Sequence, residues 1–378
     1  MRKRYEIMQT RDGAAWIKSS RIAQFQKIDA IAYDCDGVLV DARKSYNATI
    51  PRTVNQLLRM TTGIKLPWNQ IAPRTIAMLR QTGCFNNDWD TTYALTLFSV
   101  LTLPLRVVQR IVANPSRVVR FKPRRTVPTE IIAIVKKFSS NLKRNSNPSE
   151  AVDRFVSNNS PTETCRQFIA PLKTQLGYPG NPPDALLPTL FDEIYHGPVL
   201  FRRMYGADAC HNQSRGLIEN ERLLVKRHDL NKICRIIGGR RLAIITGRPY
   251  IATEYVLRDM LGCFNLKASL FIGDIDVHPE LATKLATYRK PSGLGLSHVR
   301  RALASDMLLY IGDSAEDVDM VKNARTEEPV LSASVYGTGS DQAERLKFFI
   351  NRGADLVLPN ARRLPDVLRF VKDENSTG

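Results

Sequence analysis

The chain reads IDAIAYDCDGVLVD over residues 28–41. A short apolar run that ends in acids and a glycine is typical of a buried parallel strand whose carboxyl end opens into a functional loop. Asp34 and Asp36 follow this strand at positions i and i+2, and Gly37 gives the chain the freedom to turn directly after them. Ligands of open parallel sheets bind beyond the carboxyl ends of the strands. The stretch therefore predicts the first strand of an α/β sheet, with two carboxylates at a ligand site.

Further apolar runs of strand length follow residue 240, and most are separated by amphipathic segments of helix length, such as residues 252–260 and 294–303. Strands that alternate with helices indicate a parallel sheet covered on both faces. We therefore expect a Rossmann-like α/β core. The further predicted strands are 241–246, 268–272, 307–311, 329–335 and 355–358.

The first two predicted strands are separated by far more chain than the dozen or so residues that a crossover needs. A second domain must be inserted there, and its long helical patterns predict a large, mostly helical cap. Residues before the first strand are polar and basic without a sustained period, so we expect an extension that precedes the fold and is partly disordered. The predicted divisions are a basic N-terminal extension at 1–27, the catalytic core at 28–42 and 233–372, the cap at 43–232 and a C-terminal tail at 373–378.

The composition indicates a folded protein with an anion-attracting surface. A formal net charge of +18 favours phosphorylated metabolites, nucleic acid or anionic lipid as partners and does not choose among them. The six cysteines include no CxxC pair, which is typical of reduced thiols in a cytoplasmic protein. The basic residues at the N-terminus are not followed by the apolar stretch of a signal peptide. The longest apolar run, 93–105, is shorter than the roughly 20 residues of a spanning helix, so we expect a buried helix and no membrane insertion.

The densest basic stretch lies in the predicted cap. It is either a solvated, charged helical face or a platform for an anionic substrate or polymer. Its members are Arg106, Arg110, Arg117, Arg120, Lys122, Arg124, Arg125, Lys136, Lys137, Lys143 and Arg144.

A pair of acids at a strand end has a specific chemical use. One carboxylate can attack phosphorus and form an acyl phosphate, while the second protonates the leaving alkoxide and later deprotonates water. A hard divalent cation with oxygen ligands neutralises the repulsion between the attacking carboxylate and the phosphoryl oxygens. Taken alone, the DxDG pattern of Asp34 to Gly37 also fits a calcium loop or a capped turn.

Three later motifs have matching chemistry. Thr246 and Gly247 end a predicted strand, where a hydroxyl and a backbone N–H suit phosphate oxygens but also a simple helix cap. Lys290 precedes a predicted helix and is either a counter-charge for phosphate or a surface lysine. In the GDxxxD motif of residues 312–317, Asp313 and Asp317 follow another strand and offer carboxylates for a metal site.

In this order the four motifs resemble those of the haloacid dehalogenase superfamily, over residues 28–42 and 233–372. The resemblance implies that Asp34 is the nucleophile and a metal ligand. It implies that Asp36 is the general acid and base and binds metal through its backbone carbonyl. Asp313 is expected to complete the protein ligands to Mg²⁺, and Asp317 to support the metal site.

The same resemblance assigns phosphate binding to Thr246 and Gly247 and charge balance to Lys290. An aspartate two residues after the nucleophile, here Asp36, distinguishes phosphate-ester enzymes from true dehalogenases. An insertion between the first two motifs is similar to the helical-cap subclass, which includes phosphoglycolate phosphatases and β-phosphoglucomutases. Such caps close over the cleft and favour small substrates. The expected activity is Mg²⁺-dependent hydrolysis of a small phosphomonoester through an aspartyl-phosphate on Asp34.

The cap departs from the family pattern in its length and in three segments, 86–93, 191–197 and 216–221. These segments are similar to cap segments of a largely archaeal phosphatase group, some members of which occur with imidazoleglycerol-phosphate dehydratase. The NNDWD run of residues 86–90 is typical of an N-cap and an amphipathic helix. Alternatively, Asn87 or Asp88 recognises the leaving group of the substrate.

Two other functions remain open at this point. A phosphomutase shares the DxDG motif and returns the phosphoryl group to a second hydroxyl. A nucleic-acid-binding or end-processing protein fits the charge and the basic cap, although no binding module is recognisable. The five histidines show no metal spacing, and the sequence does not predict the oligomeric state.

Overall fold

The structure is a computed structural model that describes residues 4–64, 70–85, 87–113, 126–143, 146–160, 162–338 and 341–373. The chain forms two compact units. Residues 1–42 and 221–378 form one, here the core unit, and residues 43–220 form the other, the cap unit. The predicted class, a Rossmann-like α/β core with an inserted helical cap, is confirmed.

The core unit contains an eight-stranded sheet in the order β1-β2-β10-β9-β8-β3-β6-β7, and a separate ribbon pairs β4 with β5. The pairs from β10 to β7 are parallel, and the pairs β1–β2 and β2–β10 are antiparallel. Each of the six strands predicted from the sequence overlaps an observed strand. The strands are β1 (Tyr5–Thr10), β2 (Gly13–Lys18), β3 (Ala30–Tyr33), β4 (Val40–Asp41), β5 (Arg222–Leu223), β6 (Leu242–Thr246), β7 (Leu270–Phe271), β8 (Leu308–Gly312), β9 (Val330–Val335) and β10 (Leu356–Leu358).

Helices make up the cap unit, and a separate set of helices packs on the sheet within the core unit. The first helix of the core unit is α1 (Ile22–Phe25). The cap unit contains α2 (Arg43–Thr62), α3 (Pro73–Arg80), α4 (Asp88–Leu101), α5 (Leu105–Ala113), α6 (Val127–Asn141), α7 (Pro148–Asn159), α8 (Glu163–Leu176) and α9 (Leu186–Tyr205). The core unit continues with α10 (Arg227–Ile236), α11 (Tyr250–Leu257), α12 (Asp274–Val277), α13 (Ala282–Leu285), α14 (Leu294–Ala302), α15 (Ala315–Ala324), α16 (Gln342–Arg352) and α17 (Leu364–Asp373).

The central strand β3 is buried on both faces. Successive side chains of a strand point to opposite faces of the sheet. Accordingly, Ile31 and Tyr33 belong to one hydrophobic cluster, and Ala30 and Ala32 belong to another. The first cluster includes residues of α10 and α17, and the second includes residues of α14 and α15. Layers of helix on both faces explain why the parallel strands are continuous apolar runs.

The N-terminal residues differ from the prediction of a partly disordered extension. Strands β1 and β2 form a hairpin, and β2 adds antiparallel to the sheet edge, with Ile17 opposite Leu356. The hydroxyl of the buried Tyr5 donates a hydrogen bond of 2.6 Å to the carbonyl oxygen of Ala354. In β2, only Ala15 and Ile17 have fully buried apolar side chains. An alternation of two apolar residues is too short to be recognised as a strand pattern in a sequence of basic and polar neighbours.

The boundary between cap and core differs as well. Residues after 220 belong to the core unit, whereas the sequence placed the cap up to residue 232. Strand β5 pairs with β4 there, and Val225, Leu230 and Ile233 lie in the hydrophobic core beside the sheet. The return from cap to core therefore begins before α10.

Helix α4 is the most buried helix of the cap unit. Trp89 and every residue from Thr91 to Val100 are buried, which agrees with the buried helix expected over 93–105, although the helix ends at Leu101. Tested singly, none of the described helices has the length and apolar character to span a membrane; α4 and α5, bent by 103° at their junction, meet those criteria only as a pair.

Candidate active site

The sequence-predicted site residues of the core unit lie at neighbouring strand ends. Asp34 directly follows β3, Thr246 is the last residue of β6, and Asp313 directly follows β8. Strand β3 lies between β8 and β6 and is parallel to both. The carboxyl ends of these strands therefore bring the three residues to one edge of the sheet, where α/β proteins bind ligands.

Both carboxylate oxygens of Asp34 have polar partners. The oxygen Oδ1 accepts a hydrogen bond of 2.8 Å from the backbone N–H of Cys35, and Oδ2 lies 2.9 Å from Nζ of Lys290. Burial raises the pKa of Asp34 to about 8. Lys290 acts to lower this pKa, whereas Asp317 and other nearby carboxylates act to raise it further. The carboxylate is thus fixed in place, but its charge is only partly compensated by the protein.

Lys290 bridges two of the predicted acids. Its Nζ lies 2.9 Å from Asp34 and 2.8 Å from Oδ1 of Asp317. Burial lowers the pKa of Lys290, but the two carboxylates outweigh this effect and raise the pKa above its ordinary value. Lys290 is consequently a charged group with little exposure and not a surface lysine. Its role as a counter-charge for phosphate stays a prediction.

Asp317 is the most extensively hydrogen-bonded acid of the cluster. Its Oδ1 accepts a bond of 2.9 Å from the hydroxyl of Tyr310, and its Oδ2 accepts bonds of 2.9 and 2.7 Å from the N–H and hydroxyl of Ser314. Burial raises the pKa of Asp317, but Lys290 and these hydrogen bonds outweigh it and lower the pKa. Gly312 is required beside it, since a Cβ at residue 312 would lie 2.2 Å from Cγ of Asp317.

Asp313 has a partner that the sequence did not reveal. Nη2 of Arg345, on α16, donates 2.7 Å to the backbone oxygen of Asp313 and lies 3.3 Å from Oδ2. Burial raises the pKa of Asp313 to about 6 despite the lowering effect of Arg345. An arginine in an ordinary amphipathic helix, far along the chain from its partner, carries no sequence signal of such a role.

The acids fit a hard divalent cation. One carboxylate oxygen from each of Asp34, Asp313 and Asp317 lies within 4.8 Å of the others. Asp317 is already engaged by Lys290 and by hydroxyl and backbone donors. Of the three acids, Asp34 and Asp313 are the two whose pKa is raised. Oxygen atoms such as those of carboxylates are the ligands that Mg²⁺ prefers.

The predicted phosphate-binding residues form the turn after β6. Thr246 is buried, and its Oγ1 accepts a hydrogen bond of 3.1 Å from the N–H of Arg248. Gly247 is exposed, and no described atom lies within 4 Å of where its Cβ would be. A Cβ at Gly273 would lie 2.2 Å from the oxygen of Gly247, so the turn packs closely against the chain that follows β7.

Asp36 has a buried cationic partner, Arg248, which is itself paired with a second acid, and neither contact was assigned from the sequence. Arg248 donates from Nε to Oδ1 of Asp36 over 2.8 Å, and the same guanidinium contacts Glu221. Arg248 is 2% exposed. Arg248 directly follows Thr246 and Gly247. This position was the only feature of the sequence that pointed to a role for Arg248 in the site.

The two cap residues proposed to read the substrate have partners within the cap unit. The Asn87 side chain caps α4 by accepting a hydrogen bond of 2.8 Å from the N–H of Trp89. Asp88 lies 2.6 Å from Nη2 of Arg80. A role of Asn87 or Asp88 in specificity stays a prediction.

A second unusual cap segment, 191–197, makes hydrogen bonds within the cap unit. Asp192 accepts a hydrogen bond of 3.1 Å from Nε1 of Trp89. The buried Glu193 accepts backbone N–H groups at Cys210, His211 and Asn212. The part of the basic stretch at 117–125, with residue 144, lies outside the described residues.

Neither a protein-family model nor a curated protein matches this chain. A target solved by the Northeast Structural Genomics Consortium, whose name states no function, matches with a TM-score of 0.59 at 17% identity, over 90% of this chain and 98% of that chain. Phosphatase Tt82 from Thermococcus thioreducens matches with a TM-score of 0.47 at 20% identity, over 85% and 99% of the two chains. A provisionally assigned phosphoglycolate phosphatase from Lactobacillus plantarum matches with a TM-score of 0.33 at 11% identity, over 82% and 86%.

The first of these similarities supports the fold. The four motifs, which in the sequence resemble those of the haloacid dehalogenase superfamily, meet at one edge of the sheet. The unit inserted between the first two motifs is made of helices.

Proposed function

We propose that this protein is a Mg²⁺-dependent phosphatase that hydrolyses a small phosphomonoester through an aspartyl-phosphate on Asp34. The observation that carries the proposal is the ion pair of 2.9 Å between Asp34, at the end of β3, and Lys290. A buried carboxylate with a fixed orientation next to a charged ammonium suits attack on a phosphoryl group, whose oxygens need a cation beside the nucleophile.

The first half-reaction uses the two aspartates of the first motif. A carboxylate oxygen of Asp34 forms a bond to phosphorus as the bond between phosphorus and the ester oxygen breaks, and Asp36 gives its proton to the leaving alkoxide. In the second half-reaction Asp36 takes a proton from water. The resulting hydroxide attacks phosphorus, inorganic phosphate leaves and the carboxylate of Asp34 is regenerated.

The turn after β6 and the lysine bind the phosphoryl group in this proposal. The hydroxyl of Thr246 and the N–H of Gly247 donate to phosphoryl oxygens, and Lys290 balances their charge. The hydrogen bonds of Asp317 to Tyr310 and Ser314 keep Lys290 between the two carboxylates.

Mg²⁺ is the proposed cofactor. Asp34, Asp313 and the backbone carbonyl of Asp36 would hold it, with Asp317 in support. When bound, the ion neutralises charge between the nucleophile and the phosphoryl oxygens. The excess of carboxylates over cations at this sheet edge, expressed in the raised pKa of Asp34 and Asp313, is the support for this assignment.

The proposed partner is a small phosphorylated metabolite, as the resemblance to the helical-cap subclass implies. The proposed compartment is the cytoplasm, and the six free cysteines are consistent with reducing surroundings.

The test is phosphate release from a panel of esters with Mg²⁺ and with EDTA. The panel includes phosphoglycolate, histidinol phosphate, sugar phosphates, nucleotides and a chromogenic aryl ester. We expect Mg²⁺-dependent release that Asp34→Asn abolishes and that the exposed-site control Asp306→Asn retains. Release by Asp34→Asn at the wild-type rate would contradict the nucleophile assignment. Turnover that needs a bisphosphate activator, without net phosphate release, would instead identify a phosphomutase.

A further inference from the structure

The guanidinium of Arg248 is directed at one oxygen of Asp36. Both Nε, at 2.8 Å, and Nη2 donate to Oδ1. No described residue donates a hydrogen bond to Oδ2 of Asp36, and the Asp36 side chain is 36% exposed while that of Arg248 is 1% exposed. A partly exposed carboxylate is therefore held from the protein side through a single oxygen.

Arg248 is in turn held by a second acid. Its Nη2 lies 2.8 Å from Oε2 of Glu221, whose side chain is fully buried. Burying charges is costly even when they are paired. A row of three charged groups, Glu221, Arg248 and Asp36, therefore calls for a reason beyond stability.

The backbone fixes both ends of this row. The N–H of Arg248 donates to Oγ1 of Thr246, at the end of β6. Glu221 immediately precedes β5, which pairs with β4, and Asp36 bridges to Val40 of β4. The ribbon of β4 and β5 and the row of charges thus connect Asp36 to Glu221 by two separate routes within the core unit.

We propose that Arg248, secured by Glu221, is a positioning residue that orients the carboxyl group of Asp36 for proton transfer. This inference rests on the proposed function. With Oδ1 held by Arg248, Oδ2 is the oxygen that gives the proton to the leaving group and later accepts one from water. Proton transfer in a transition state depends on such geometry, and errors of about 1 Å cost on the order of 100-fold in rate.

The proposal predicts an effect that depends on the leaving group. Phenyl phosphate releases a poor leaving group that needs a proton, whereas p-nitrophenyl phosphate releases a stable phenolate that does not. A residue that binds the phosphoryl group affects both esters equally, because they share that group. A residue that orients the general acid affects kcat/KM for phenyl phosphate selectively, since kcat/KM reports the first half-reaction.

The experiment measures kcat/KM for both esters in Arg248→Lys, which keeps the charge and loses the planar fork. A second variant, Arg248→Gln with Glu221→Gln, removes both charges and leaves no buried carboxylate unpaired at residue 221. The control is Arg300→Gln, since Arg300 pairs with the buried Glu328 away from the site. We expect the loss for phenyl phosphate to exceed the loss for p-nitrophenyl phosphate by about tenfold or more, with no such selectivity in the control.

A double-mutant cycle completes the test. In an Asp36→Asn background, Arg248→Lys should cause no further loss with phenyl phosphate, because the residue acts through Asp36. Equal losses of kcat/KM for the two esters would overturn the positioning role. The role would also be overturned if Arg248→Lys lowered kcat/KM for phenyl phosphate as much in the Asp36→Asn background as in the wild-type background. Failure of the proposed function is distinct, since it would appear as no release of phosphate by the wild-type protein from either ester.

Discussion

Gly37 lies so close to Asp313 that a Cβ atom on residue 37 would stand 2.2 Å from Oδ2 of Asp313. Gly37 also has a φ of +72°, a left-handed conformation that L-residues other than glycine adopt at a cost. The turn after the first motif and the acid of the last motif therefore share one small space. This contact explains physically why a glycine follows the two aspartates.

Gly37→Ala is expected to lower both stability and activity. The backbone conformation alone costs roughly 1–2 kcal/mol, and Asp313 must move to make room for the methyl group. Urea unfolding and phosphate release measure the two effects. The control is Gly353→Ala, because Gly353 has a φ of +82° and no described atom within 4 Å of its Cβ position. Retention of full activity by Gly37→Ala would mean that the position of Asp313 is unimportant.

Lys290→Met should reduce phosphate release on the order of 100-fold or more, as losing a charge stabiliser of a transferred group typically does. It leaves the carboxylates of Asp34 and Asp317 without their shared cation, so we expect a loss of unfolding free energy of about 3 kcal/mol. Thermal and urea unfolding with initial rates test both expectations. Lys284→Met, at an exposed position of the same segment, should behave like the wild type. Wild-type rates in Lys290→Met would show that Lys290 serves stability alone.

The sequence predicts the part of the site that depends on strand order and fails where contacts come from distant helices. Asp34, Thr246 and Asp313 follow apolar runs, and parallel pairing of those runs brings them together. Arg345 and Glu221 reach the site from α16 and from the return of the chain into the core. The residues around Arg345 do not differ from an ordinary charged surface. The segment 216–221 stands out in the sequence but does not indicate a role for Glu221, so only the tertiary fold reveals the contacts of both residues.

The N-terminal hairpin was missed for a related reason. Its stability comes from pairing with β10 and from tertiary contacts of residues such as Tyr5 and Ile17, and isolated hairpins are marginal in water. The local sequence pattern of a short basic segment therefore does not predict the strands that it forms in the fold.

Tyr5→Phe tests the contribution of the hairpin. It removes the hydrogen bond to the oxygen of Ala354 and should lower the free energy of unfolding by about 1 kcal/mol. Phosphate release should be unchanged, because β1 is at the opposite end of the strand order from β6 and β7. The matched control is Tyr255→Phe, since the Tyr255 hydroxyl makes no hydrogen bond to a described residue. Equal stability of the two variants would show that the hairpin contact contributes nothing.

Asp29 makes the stability of the core unit depend on pH. Its carboxylate accepts hydrogen bonds from the hydroxyl of Ser305 at 2.6 Å and the N–H of Met307 at 3.1 Å, and it pairs with Arg241 at 2.6 Å. Burial raises the pKa of Asp29, but these partners outweigh it and lower the pKa below its ordinary value. Since the folded state favours the ionised form, its contribution is complete above the unfolded pKa of about 4 and is lost as the pH falls through the lower folded pKa.

Asp29→Asn should therefore lower the free energy of unfolding by about 1 kcal/mol at pH 7, and the difference from the wild type should shrink as the pH falls below about 4. Urea unfolding of both proteins at several pH values measures this difference. Asp306→Asn provides the control, since its exposed side chain accepts no hydrogen bond from a described residue. A difference that stayed constant with pH would mean that Asp29 acts through packing, because a packing contribution does not depend on the ionisation of the carboxyl group.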